Sequence, residues 1–263
     1  MSDPFNILLK TTADNPVHKK NIGLVDRSGK YRIGSPSRPL IMHDNGHLDL
    51  HNSRDPTFGD RTRLAKWITK LEASELLCTA RSGKRLETCN NEDLSDANAA
   101  YRHFLFGNGA DRKVDYERFL KNDPSAFDLI KNLTSDFKAH IEIIGMDRIK
   151  FSVTSDAYTI GRGGIAPYPA TANWQKTLGA HFLWVSANIV VSIDSLLAIC
   201  YRADMTIHAE DRYNFNPGAT DIATGIPDSE NGVFEITGLA HQYTQYAKIS
   251  RNFAWRKGEK ENL

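Results

Sequence analysis

Charge of one sign, long apolar runs and cysteine are all scarce in this chain, and each scarcity removes a class of function. Its 263 residues carry 33 Lys plus Arg against 32 Asp plus Glu, a formal net charge of +1. A protein that binds nucleic acid by neutralising phosphates shows a basic excess or a basic stripe. This chain has neither, so no nucleic-acid partner is expected. The longest apolar run, 181 to 193, is broken by Ser186 and Asn188 and falls short of the ~20 residues a membrane helix needs. Cys78, Cys89 and Cys200 are scattered and form no Cys-x-x-Cys, so neither a disulfide framework nor a zinc knuckle follows. Spacing alone does not decide whether Cys78 and Cys89 pair. The first ten residues show no basic start followed by an apolar stretch and a small-residue cleavage site. The expectation is synthesis in the cytoplasm without a signal peptide, with export left to a dedicated system.

What is present is ordinary globular material, 40% hydrophobic and 25% charged, enough to build a core. Residues 1–58 are rich in Gly, Pro, Asn, Asp and Ser and predict a loop-rich lead-in with one or two short strands, around Ile22 to Val25 and Leu48 to Leu50. Leu64, Trp67, Ile68 and Leu71 recur at helical steps and predict a helix over 60–77. A second is expected over 96–106, with Ser95 as cap and Gly107 as a left-handed stop. Helices over 115–121 and 124–140 follow, the latter capped by Asp123 and burying Phe127, Ile130, Leu133 and Phe137. After Gly145 the period changes to two. Strands are predicted over 149–154, 182–193, 198–210 and 233–246, with a short one over 252–256. The fold class expected is α+β, a helical N-terminal region (1–145) followed by an antiparallel β domain (146–263).

The clearest strand alternates Tyr201, Ala203, Met205, Ile207 and Ala209 with Arg202, Asp204, Thr206, His208 and Glu210. It runs into Asp211-Arg212-Tyr213-Asn214-Phe215-Asn216-Pro217, a rim segment with several ionisable groups, and rims on rigid scaffolds carry function. Asp211 and Tyr213 share one face, and His208 takes the other. These residues alone fit an anchored turn as well as a site, and name no reaction. Other groupings favour structure. The histidines at 43, 47 and 51 straddle a turn signal, the glycines at 161–164 precede no helix, and the acidic 228–232 segment predicts a solvated hairpin. Tyr168, Trp174, Phe182 and Trp184 bracket the glycine loop as an aromatic cluster suited to a core or to a prenyl or sugar group.

The rim segment resembles the active-site segment of the colicin M family, bacteriocins that hydrolyse the undecaprenyl-linked peptidoglycan precursor lipid II in the target-cell periplasm, and the resemblance implies that the antiparallel domain is a half-open β-barrel. The family motif runs Asp-x-Tyr-Asp, then an Asn-Pro turn, then His-Arg. Asp211 and Tyr213 match, Asn214 replaces the second Asp, Asn216 and Pro217 match the turn, and Thr220 and Asp221 stand where His-Arg would be. Asn231 to Gly238 is similar to the family's closing strand, so the likeness covers the last third of the chain. It implies Asp211 as acid/base or magnesium ligand and Tyr213 as its orienter. His208 or His241 is the implied proton carrier, because imidazole titrates near neutrality. Asn214 cannot be a base and Asp221 supplies no positive charge, which turns attention to Arg212 or the histidines. The implied partners are a lipid-linked envelope precursor, a cognate immunity protein and a secretion-system carrier such as that of type VI secretion. The altered motif equally fits a non-catalytic lipid-, glycan- or protein-binding module. A membrane-damaging effector has less support, because no long amphipathic or apolar hairpin is present.

Overall fold

The computed structural model describes residues 31–82, 93–145, 148–161, 163–221 and 224–259, with the backbone alone over 77–82. Ile22 to Val25 and the Cys78–Cys89 pairing lie outside the described structure. The order is β1 (Tyr31–Ile33), a 3-10 turn (Gly46–Asp49), α1 (Phe58–Ser82), α2 (Ser95–Phe106), β2 (Arg112–Lys113), α3 (Tyr116–Asn122) and α4 (Ser125–Ile144). Then come β3 (Lys150–Ser155), β4 (Tyr158–Ile160), α5 (Ala172–Thr177), β5 (His181–Ile193), β6 (Ile199–Tyr213), α6 (Ser229–Ile236) and β7 (Tyr243–Arg256). The strands form one sheet in the order β1-β3-β5-β6-β7-β2, with β4 also on β5. Every pairing is antiparallel except β2 with β7, and among the described residues β1 and β2 do not meet, so the sheet stays open.

The expected mixture of helix and antiparallel sheet is present, but a helical N-terminal half is not. Two helices, α5 and α6, lie beyond Gly145, while β1 and β2 come from before it and pair with β3 and β7. The main core joins both regions: Leu129, Leu133, Phe137 and Ile141 of α4 pack on Val185, Ile189, Ala203 and Ile207 of the sheet. Each fully buried side chain of this kind contributes about 1.5–3 kcal/mol. Phe127 is exposed instead of buried, because the inward row of α4 steps by four through Leu129, Leu133, Phe137 and Ile141. Gly107 closes α2 at φ −84°, and the left-handed residues are the next two, Asn108 and Gly109. The α2 start is capped not by Ser95 but by Asn173 of α5, whose Oδ1 accepts from Asp96 N (3.1 Å) and Ala97 N (3.0 Å). Pro124, not Asp123, is the N-cap of α4; Asp123 lies one residue earlier, where its Oδ1 accepts from Ser125 N at 3.0 Å.

The strand expected over 233–246 is instead α6 followed by the start of β7. Asn231, Gly232, Phe234 and Glu235 are buried at helical spacing, and Phe234 joins Leu71, Phe104, Leu105 and Tyr243 in a second core that ties α1, α2 and α6 to the sheet end. A third cluster, Ile41 with Phe182 and Trp184, fastens residues 37–49 across the outer face of the sheet. This strap reaches the end of β6. Arg38 and His43 both hold Glu210, His43 Nε2 lying 2.8 Å from Oε1 and Arg38 Nε 2.8 Å from Oε2.

Candidate functional site

β6 is a period-two strand to its last residue, and its inward row, Met205, Ile207, Ala209, continues to Asp211. The apolar row therefore ends in a carboxylate at the floor of a cavity of about 410 Å³, walled by α1, α2, α5, the strap and residues of 214–221 and 224–228. Asp211 is 8% exposed, and burial pushes its carboxyl well above the usual range, with nearby Asp44 adding to the rise. Its side-chain partner is the wholly buried Gln245 of β7, whose Nε2 lies 3.4 Å from Oδ2 and also donates to the Thr177 carbonyl of α5. Gln245 Oε1 accepts from Arg112 at 2.7 Å, which fixes the amide's orientation.

The loop beyond β6 is built from carboxylates that accept backbone amides. Glu235 Oε1 accepts from Phe215 N (3.0 Å), Asp228 Oδ2 from Asn216 N (2.9 Å), and Asp221 Oδ1 from Thr224 N (2.7 Å). Their surroundings set them apart. Burial raises Asp228 to about 6 and Glu235 to about 8. Burial also acts to raise Asp221, but the Lys176 ammonium and Thr224 outweigh it and hold Asp221 below the usual value. Tyr213 stacks on Tyr243 (centroids 5.1 Å apart). The phenols of Tyr213 and Tyr168 are both raised, first by burial and then by the charges of Asp211, Asp221 and Asp228, so the three carboxyls surround common ground.

Of the residues singled out from sequence, Asp211, Tyr213, Asn214 and Asp221 line the cavity. Asn214 is committed to the strap, donating from Nδ2 to Asp44 Oδ1 at 2.6 Å. His208 lies on the opposite face of β6, as strand parity requires. It stacks flat on Trp184 (4.8 Å), its Nε2 is 2.9 Å from Ser186 Oγ, and burial lowers it to about 4. His241 is exposed, tied through its amide to Phe104 O, and does not line the cavity. Neither imidazole reaches Asp211's side. Of the aromatic cluster, Tyr168 and Phe182 line the cavity, while Trp174 is in the main core. Sequence reading missed Asp44, Lys176, Asp228 and Glu235. The 228–232 segment, expected to be a solvated hairpin, starts α6 and sends Asp228 into the cavity wall.

Magnesium needs only one or two carboxylates with several waters. Among the described residues no three His, Cys, Asp or Glu side chains converge as metal ligands. Asp221 and Asp228 are already engaged by a lysine and by backbone amides, so the donor set does not fit a cage made by the protein. What it does fit is proton transfer, because its carboxyls are driven to different affinities by their surroundings.

No protein-family model and no curated protein sequence matches the chain. Among solved structures it is similar to PaeM, a colicin M-like bacteriocin produced by Pseudomonas aeruginosa, at 18% identity and TM-score 0.37 over 62% of this chain and 52% of that one. It is similar to pectocin M2 at 13% identity and TM-score 0.32 over 74% and 64%. A truncated bacteriocin, syringacin M from Pseudomonas syringae pv. tomato DC3000, is similar at 17% identity and TM-score 0.34 over 64% and 62%. The chain spans about half to just under two thirds of the length of these proteins. They are colicin M-like bacteriocins, the group whose motif the 211–217 segment resembles.

Proposed function

We propose that this chain is an antibacterial toxin that hydrolyses an undecaprenyl-linked peptidoglycan precursor in the periplasm of the target cell. One observation carries the reading: Asp211, the residue matching the first position of the motif, is a buried carboxyl on the floor of a cavity whose burial favours the protonated form, with Tyr213 beside it. A protonated carboxyl donates to the departing phosphate oxygen, and Asp228, near 6, takes a proton from the attacking water. Tyr213 orients the phosphate through its hydroxyl. Magnesium enters this scheme only as a companion of the substrate's phosphates. Among the described residues no helix is long and apolar enough to cross a membrane. Delivery by a secretion-system carrier and protection of the producing cell by an immunity protein complete the proposal.

The test is expression in the periplasm and in the cytoplasm of a susceptible bacterium, comparing wild type with Asp211→Asn. Lysis is expected only for periplasmic wild type, with loss of the lipid-linked precursor from extracts. The Asn variant should lose about 10²–10⁴-fold in turnover, the usual worth of a general acid. Equal killing by the two proteins refutes hydrolysis through Asp211.

A further inference from the structure

Besides His43, whose ring is engaged on Glu210, the cavity wall holds three cationic side chains among the described residues, Lys70, Lys176 and Arg212. Lys70 lies over the Trp67 ring, 4.1 Å from its centroid, and Arg212 reaches the start of β7, with Nε 2.9 Å from Gln242 Oε1 and Nη1 3.4 Å from Thr244 Oγ1. Lys176 differs, because it is held by an exchangeable anion, the carboxylate of Asp221. Each member of this pair is 24% exposed, so the pair is sheltered yet open to a ligand in the cavity.

We propose that Lys176 is the diphosphate-binding cation of this cavity, and that Asp221 is the resident counter-ion which the ligand's phosphate displaces. The inference rests on the phosphate-directed reading above. An ammonium is a point charge with three rotatable donors, which suits it to exchange one oxyanion for another. Its backbone is fixed on both sides. Asn173, three residues earlier, caps α2, and the carbonyl of Thr177, one residue later, is held by the Gln245 amide that also reaches Asp211. Gln245 thus sets the position of the cation against that of the acid. The positive charge absent from positions 220 and 221 reaches the cavity from α5, with Asp221 as its holder.

The test is calorimetric titration of the full chain with inorganic pyrophosphate in metal-free buffer, for wild type, Lys176→Gln, Lys176→Arg and Asp221→Asn. Wild type is expected to bind, and Lys176→Gln to bind at least about tenfold more weakly, the scale of a charge-assisted hydrogen bond. Lys176→Arg should bind within a few-fold of wild type. Asp221→Asn should bind roughly threefold to tenfold more tightly, because the competing ion pair is gone. A purely structural ion pair predicts the opposite sign for Asp221→Asn, weakening like that of Lys176→Gln. That result, equal binding by Lys176→Gln, or no binding by wild type overturns the proposal. Hydrolysis through Asp211 is judged separately by the killing assay, so the two readings fail independently.

Discussion

Glu235→Gln is expected to make this protein more stable at neutral pH. Glu235 is 5% exposed, its Oε1 accepts from Phe215 N, and the His47 amide also faces its carboxyl. Burial raises its pKa from 4.5 to about 8. The sign follows from linkage. Below 4.5 both folded and unfolded chains hold the proton and the group contributes nothing. Between 4.5 and 8 the unfolded chain releases it while the folded chain does not, so stability falls as pH rises. From 4.5 to about pH 7, at about 1.4 kcal/mol per pH unit, the loss is roughly 2–3 kcal/mol once relaxation of the site is allowed for. Gln copies the protonated acid: it keeps the acceptor for Phe215 and has no proton to lose. Urea unfolding at about pH 4 and about pH 7 should show equal stabilities at the lower pH and a gain of roughly 2–3 kcal/mol for the variant at the higher one. A variant less stable at neutral pH, or a difference that does not change with pH, refutes the burial argument.

Glu210 should behave in the opposite sense. Although burial alone would raise it, Arg38 and His43 hold it at about 2, so its contribution is present above about 4.5 and is lost as pH falls toward 2. Glu210→Gln should cost roughly 2–3 kcal/mol at neutral pH and little at about pH 2, read by the same unfolding experiment. Gly46 has φ +56°, and a Cβ there would lie 2.3 Å from the Phe215 carbonyl oxygen, which is backbone and cannot swing away. Gly46→Ala should therefore lower stability by about 1–3 kcal/mol and loosen the 214–216 segment, seen as faster amide exchange at Phe215 and Asn216.

The sequence made β6 legible because its alternation is unbroken for ten residues, Tyr201 to Glu210, and strand parity then placed Asp211 and Tyr213 together and His208 apart. The same rule failed over 233–246. There Val233, Phe234 and Ile236 form a short apolar run whose period is ambiguous, and the deciding feature is tertiary: Gly232 sits so close to the His47 ring that a Cβ would come within 2.0 Å of it. Lys176 and Asp221 are 45 positions apart, and Asp44 and Asn214 are 170 apart, so neither pairing leaves a local pattern. Loops folded onto the end of a legible strand supply half of the site.

A diphosphate entering this cavity meets four acidic residues, Asp44, Asp211, Asp221 and Asp228, against Lys70, Lys176 and Arg212. With every carboxylate ionised, the cavity would repel the group it is proposed to cleave. Burial of Asp211 favours its protonated form, so the environment that suits it to proton donation also works against the negative charge that opposes anion entry. Asp211→Asn separates the two effects. The amide is neutral at every pH and fills the same space, so the variant should bind pyrophosphate about as well as wild type while hydrolysis is lost. If pyrophosphate instead binds the variant much more tightly, Asp211 is ionised in the wild-type protein, and its role as the proton donor fails.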